Sequence, residues 1–446
     1  MKRHDRNRSL GRKIRQGLVL LMWQNLIVEL QPHPVKEQLP GVQYCVNSPP
    51  PWLEAVVLGF QHYLLSLGIT VLIPSLLVPL MGGGDAEKAR VIQTMLFVSG
   101  LTTLLHSFFG TRLPVIAAAS YAYIIPITSI ISSTRFSHYT DPFERFVRIM
   151  RSIQGALLVA GCFQVLVCFL GVWRNIARFL SPLSIAPLTT FAGLGLYQIG
   201  FPLLARCVEV GLPGLILLVF VTQLCYSHQV VYITISLKLL KLVAVQIVMV
   251  SSPTLLGQFF YLNVLFCPTF HFTDSFAMMA ASFVTLFEST GLFYASARYG
   301  SATPIPPSVI SRGTGWLGVG VLLNSMFGGV SGITTSTENV GLLAMTKIGS
   351  RRVIQISAAF MLFFSIFGKF GAFFASIPLP IMASVYCIVL CFVSIVLDCT
   401  LSRESDEAKK DCGLKWWEKF RLYNLDVRND EFYGLPCCLN KFFPSH

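Results

Sequence analysis

Two carboxylates draw attention because of where they lie. Glu288 falls inside Met278–Phe293, a run otherwise free of charge. A carboxylate at the centre of a bilayer costs at least about 2.5 kcal/mol, so it needs a partner or a use. Protonation neutralises it, which suits a proton-coupled carrier. The plainer alternative is a structural hydrogen bond to a neighbouring helix. Glu338 and Asn339 open a second apolar run, directly after Gly328-Gly329-Val330-Ser331-Gly332 and the Ser336-Thr337 pair. A carboxylate at a helix N-terminus is favoured by the helix dipole, and Ser336 or Thr337 is a good helix cap. A cap without further function is the bland reading. Gln61 and His62 sit in the first apolar run, where a lone His is most simply a packing residue. As a set these residues fit one kind of ligand. The carboxylates accept N–H donors, Asn339 and Gln61 donate and accept, and Tyr121 offers a ring face. A flat heterocycle with alternating N–H and C=O groups satisfies them. A simple inorganic anion does not, because those apolar segments hold no Arg or Lys.

The elements that carry these residues must lie in a membrane. The 446 residues are 54% hydrophobic and only 12% charged, and mean hydropathy is +0.65. A soluble chain needs roughly a quarter of its residues charged. Apolar runs of about 20 residues therefore read as transmembrane helices. The net charge of +13 does not point to nucleic acid, because the basic residues fall in short loops and tails between apolar runs. The spacing predicts spans at Leu53–Leu80, Ile92–Phe109, Pro114–Ser133, Ile153–Trp173 and Phe179–Gly200. Weaker ones come next, at Leu212–Cys225 and Val230–Val250. Then come Phe276–Ala297, Gly315–Phe327, a short segment near Thr335–Met345, Val353–Phe374 and Pro378–Leu397. Ser402–His446 reads as a charged, aromatic tail too polar to insert. The N-terminal region lacks a small-residue cleavage site. The twelve Cys form no CxxC pair, and most lie in apolar runs as small hydrophobes.

Loop charge sets an expected orientation. With the basic N-terminus in the cytosol, the Arg174/Arg178, Arg298–Arg312 and Lys347–Arg352 loops and the tail fall inside. The Arg135–Arg151 loop, with four Arg, falls outside and is an exception. Two spans are too short or too polar to be ordinary: Pro114–Ser133, with its Ala-Ala-Ala-Ser-Tyr, and the segment near Thr335. Broken helices at matching places in two halves point to an inverted-repeat transporter. Their N-terminal N–H groups would meet a polar ligand. A re-entrant turn without a ligand is the alternative.

The chain resembles the nucleobase–ascorbate transporters. That family's signature is Gln or Glu, Asn, any residue, Gly, four residues, Thr, then a basic residue or Gly. Here it reads Glu338-Asn339-Val340-Gly341-Leu342-Leu343-Ala344-Met345-Thr346-Lys347. The Gln61-His62 pair also matches. So do Phe287-Glu288-Ser289-Thr290-Gly291 and Ser301-Ala302-Thr303-Pro304-Ile305-Pro306-Pro307. Gln31–Tyr44 and Trp416–Pro444 look like the plant branch. The resemblance implies an all-α polytopic membrane protein of fourteen helices in two inverted repeats of seven. A core domain would carry the substrate against a gate domain. Substrates would be purines or pyrimidines, driven by protons or sodium, with no cofactor, no metal and no catalytic residue. Glu288 and Glu338 would bind the base, Asn339 would support them, and Ser120, Tyr121 and Thr337 would line the site. Gln61, His62, Gly341, Thr346 and Lys347 would tune specificity or transport. A homodimer in the plasma membrane is the family expectation.

The resemblance also exposes departures. After Ile377-Pro378-Leu379-Pro380 one apolar span remains where the family has more, and Tyr226–Phe266 is short and atypical. About twelve spans are expected, with an incomplete gate. The implied division is 1–52 cytosolic, 53–175 core, 176–272 gate, 273–376 core, 377–400 gate remnant and 401–446 cytosolic tail. A degenerate, non-transporting binding protein and an anion carrier of the same fold are the competing readings. Glu288 speaks against the anion carrier, and no metal cluster, nucleophile elbow or phosphate loop speaks for an enzyme.

Overall fold

The structure is a computed structural model that describes residues 42–180, 209, 213, 268–366, 371 and 432–435. Within these, α1 (Trp52–Met81) and α2 (Asp85–Phe109) are long helices joined by a tight turn. The strand β1 (Ala117–Ala119), a 3-10 turn (Tyr121–Tyr123) and the short helix α3 (Ile124–Ile131) come after them. A second 3-10 turn (Thr134–Phe136) leads to α4 (Pro142–Phe169) and the short α5 (Val172–Ala177). The second described stretch holds α6 (Phe272–Tyr299), α7 (Pro307–Phe327), the strand β2 (Ile333–Thr335), α8 (Thr337–Thr346) and α9 (Arg351–Ser365). The order repeats: two long helices, a strand with a short helix, then another helix.

Local chemistry sets the boundaries. α1 ends at Gly82, whose φ of 96° is the left-handed conformation that closes helices. Asp141 caps α4 by accepting from the Phe143 N–H at 3.2 Å, and Pro142 occupies the first helical position. Gly171, at φ 78°, separates α4 from α5. α1, α2, α4 and α6 are each long and apolar enough to cross a membrane.

The helices pack as a bundle. α4 lies against α6 and α7, α9 against α1 and α2, and α7 against α2. Their crossings are close. A Cβ on Gly100 of α2 would meet the Ala358 carbonyl of α9 at 3.1 Å. Small residues that let backbones approach are what holds helices together where apolar contact alone gives no preference.

Several expectations need correction. The fold is not purely helical: β1 and β2 pair antiparallel, with Ala117 opposite Thr335 and Ala119 opposite Ile333. The expected span Pro114–Ser133 is this strand plus the short α3, and the segment near Thr335 is a strand followed by α8. Three-residue strands carry no periodicity that a sequence could reveal. Of the supposed Arg135–Arg151 loop, Arg145, Arg148 and Arg151 lie on α4, which begins eleven residues before the expected Ile153. Two of the four arginines counted there have acidic partners. Arg135 pairs with Asp274 on α6, and Arg148 pairs with Glu144 at 3.5 Å. α7 starts at Pro307, ahead of the expected Gly315, and so takes in Arg312, which is buried. The expected spans at Val230–Val250 and Pro378–Leu397, and nearly all of Phe179–Gly200 and Leu212–Cys225, fall outside the described residues, as does most of both expected gate segments.

Gly332 gives a direct test of the strand crossing. A Cβ there would lie 2.2 Å from the buried Tyr123 ring. Gly332→Ala should lower stability by roughly 1–3 kcal/mol through overpacking. Gly68→Ala, with nothing within 4 Å of its Cβ, should be neutral or stabilise by about 0.5–1 kcal/mol. Thermal unfolding of both variants in detergent checks the contrast.

Candidate functional site

The site is built where α1, α6 and α8 meet the paired strands. The strand ladder continues past its ends. The Ser336 N–H donates to the Ile116 carbonyl at 2.8 Å, and the Ser120 N–H donates to the Gly332 carbonyl at 3.0 Å. Each serine then caps the helical turn that starts just after it. Ser120 Oγ accepts from the Ala122 N–H at 3.3 Å. Ser336 Oγ accepts from the Asn339 N–H at 3.4 Å. Because the strands are antiparallel, the two capped ends leave the pair in opposite directions.

Glu338 sits in the first turn of α8 and is 4% exposed. Its carboxylate accepts from Ser336 Oγ at 2.9 Å and from the Tyr121 hydroxyl at 3.5 Å. Glu288, midway along α6 and half-buried, accepts from Thr337 Oγ1 at 3.4 Å. Hydroxyl groups, not cations, therefore hold both carboxylates. Among the described residues neither forms a salt bridge. Thr337, which holds Glu288, is the residue next to Glu338.

Asn339 is the hub behind them. Its Nδ2 donates to Ser66 Oγ at 2.7 Å and to Ser336 Oγ at 2.9 Å. Its Oδ1 lies 3.0 Å from His62 Nδ1. His62 is 2% exposed, so its ring serves this network rather than solvent. Gln61, beside it and also buried, has an Nε2 without a partner among the described residues.

Most of the sequence-derived candidates converge. Glu288, Glu338, Asn339, Thr337, Ser120, Tyr121 and His62 join through the bonds above or through one shared neighbour. Gly341 is buried inside α8. Thr346 and Lys347 are not brought in. Nine residues separate Lys347 from Glu338, roughly 13 Å along a helix. Thr346 Oγ1 bonds back to the Leu342 carbonyl at 2.9 Å, and Lys347 is the exposed C-cap of α8 at φ 55°.

Sequence reasoning missed three supporting groups. Ser66 lies one helical turn beyond His62, so it shares a face with it. Ser289, next to Glu288, bonds Thr334 of β2 through its hydroxyl at 2.7 Å. Ser282, further back on α6, bonds the Tyr123 hydroxyl at 2.8 Å. Together these fix α6 against the strands. Ser66 was legible from spacing. The other two needed the strand pairing.

Asn339→Ala would strand His62 Nδ1, while Ser66 Oγ would keep its bond to the His62 carbonyl at 3.0 Å. Each buried polar group so stranded costs about 1–3 kcal/mol. A loss in that range, measured by thermal unfolding in detergent, is the expected outcome. An unchanged midpoint would remove Asn339 from the hub.

Comparison with known proteins identifies the kind of molecule. The sequence model of a group described as the permease family matches residues 53–397. A protein of Arabidopsis thaliana assigned by name to the nucleobase-ascorbate transporters, number 10, is 64% identical over 537 aligned positions. These cover 95% of this chain and 98% of that one. Nucleobase-ascorbate transporter 4 of the same plant is 44% identical, over 94% of this chain and 99% of its own. Nucleobase-ascorbate transporter LPE1 of Zea mays is 41% identical, over 94% and 98%. The 537 aligned positions exceed the 446 residues of the chain, so gaps fall inside this chain. Apolar helices, the permease match and these relatives agree, and the chain belongs to the nucleobase-ascorbate transporters of the permease family, as a multi-pass membrane transporter.

Proposed function

We propose that this protein carries nucleobases across the membrane by cation-coupled alternating access. One observation supports the reading above the rest: two carboxylates, held by hydroxyls and unpaired with any cation among the described residues, flank one site. A ligand there must bring N–H donors. Purines and pyrimidines such as xanthine, uric acid, adenine, guanine and uracil do so on a flat ring. Glu288 and Glu338 take those donors, Asn339 holds Glu338's helix turn in place, and Ser120, Tyr121 and Thr337 line the site. Gln61, His62 and Gly341 shape it. Thr346 and Lys347 act at a distance, on transport or selectivity.

The repeated order of elements and the antiparallel strands support a two-fold inverted repeat. In this reading 53–175 and 273–376 are the substrate-bearing core, and 176–272 with 377–400 are the gate. The N-terminus and tail face the cytosol, the protein resides in the plasma membrane as a homodimer, and the driving ion is a proton or sodium. A carboxylate pair in one site gives such an ion a place to neutralise charge. A second reading has one observation in its favour. Because the chain is gapped against its relatives, it binds its solute without carrying it.

Uptake of radiolabelled xanthine, uric acid, adenine and uracil, in cells without carriers of their own, decides between the two. Saturable uptake is expected. It falls as external pH rises if protons drive it, and stops in sodium-free medium if sodium does. Good surface expression with no uptake would favour the binding-only form. Glu288→Gln should reduce binding below detection while membrane insertion stays intact. Retained binding by that variant would remove Glu288 from the site.

A further inference from the structure

The segment Phe432–Leu435 lies in what the sequence offers as a polar tail, yet Phe432 is 2% exposed, Tyr433 0% and Leu435 8%. Three successive main-chain carbonyls of this segment each meet a different arginine. Arg351 Nη2 donates to the Phe432 carbonyl at 3.3 Å. Arg312 Nη2 donates to the Tyr433 carbonyl at 2.9 Å. Arg112 Nη1 donates to the Gly434 carbonyl. The Tyr433 hydroxyl donates in turn to the Thr303 carbonyl at 2.6 Å. The same arginines brace their own surroundings. Arg312 Nε reaches the Gly110 carbonyl at 2.9 Å, and Arg351 Nε reaches the Arg112 carbonyl at 2.7 Å.

The position of this seat matters more than its strength. Arg112 lies in the loop that leads into β1. Thr303 lies in the loop after α6, the helix of Glu288. Arg351 opens α9, four residues beyond Lys347, the C-cap of the α8 that carries Glu338. One short segment thus ties the chain on the flanks of β1, α6 and α8, three of the elements that form the site. The Arg298–Arg312 and Lys347–Arg352 segments and the tail fall on one side in the charge count. A guanidinium keeps its charge and offers five donors, so stripping the carbonyls away would leave buried charge poorly satisfied. Burial already lowers the Arg112 guanidinium from its ordinary value.

We propose that Phe432–Leu435 is a strap whose seating among Arg112, Arg312 and Arg351 holds β1, α6 and α8 in register, and β2 through its pairing with β1, so that the tail controls the geometry of the site from outside it. The recognition is of main-chain carbonyls, with the two aromatic rings as anchors. It does not depend on which solute is carried.

Hydrogen exchange on the full-length protein in detergent tests this without any transport assay. In the unaltered protein the 432–435 amides should exchange at least about 100-fold more slowly than in a free peptide. Tyr433→Phe removes the bond to Thr303 and keeps the ring, and should speed them by about two- to tenfold. Tyr433→Ala should speed them by more than about tenfold, and the amides of Ala118 and Thr334 should speed up with them. Strap amides that exchange at free-peptide rates in the unaltered protein would overturn the proposal, even if both variants failed to fold. Release of the strap with unchanged exchange in β1 and β2 would overturn it equally.

Discussion

Every peptide group buried away from water must find a partner, and in a membrane protein lipid supplies none. Two stretches of this chain stop being helical inside the helix bundle, and each satisfies the other. The three-residue pairing of Ala117–Ala119 with Ile333–Thr335 is the constraint on which the rest depends. Its edges are extended by the Ser120 and Ser336 amides. It admits no side chain at Gly332, where Tyr123 packs against the backbone. It also fixes where two helical segments start, and so where their unpaired N–H groups and capping serines lie.

The character of the site derives from that start point. Glu338 is buried because it opens α8 there, and its partners are hydroxyls because hydroxyls are what the capping turn and Tyr121 provide. Glu288 arrives on α6, which Ser289 and Ser282 pin to the strand pair and to the turn after it. Asn339 connects α8 to α1 through Ser66 and His62. The result is negative, rich in acceptors and enclosed by uncharged groups. A site of that kind offers acceptors to whatever donors a ligand brings.

Much of this was legible beforehand, for particular reasons. A charge inside an apolar run is conspicuous, so Glu288 stood out. A Gly-rich stretch ahead of a Ser-Thr-Glu-Asn start announces a helix, so α8 was legible, with Ser336 or Thr337 as its cap, and the structure uses Ser336. The strands were not, because Ala-Ala-Ala and Ile-Thr-Thr are too short to show alternation. The true start of α4 was hidden by Arg145, Arg148 and Arg151, which read as loop until Arg135 and Arg148 are seen to have acidic partners. The apolar spacing of α7 concealed that Arg312 belongs to it. The strap could not be read at all, since its recognition runs through main-chain carbonyls that carry no sequence signal. The spacing around Lys347 placed it in the family motif, but the length of α8 keeps it from the carboxylates.

The central claim is that one solute sits between Glu288 and Glu338 beside the crossed strands. A structure of the purified protein in lipid nanodiscs, determined by electron cryomicroscopy with xanthine present, tests it most directly. The account predicts planar density within hydrogen-bond distance of both carboxylates and against the Tyr121 ring, absent without xanthine. Xanthine density elsewhere, with the carboxylates facing only Ser336, Thr337 and Tyr121 as they do now, would contradict it.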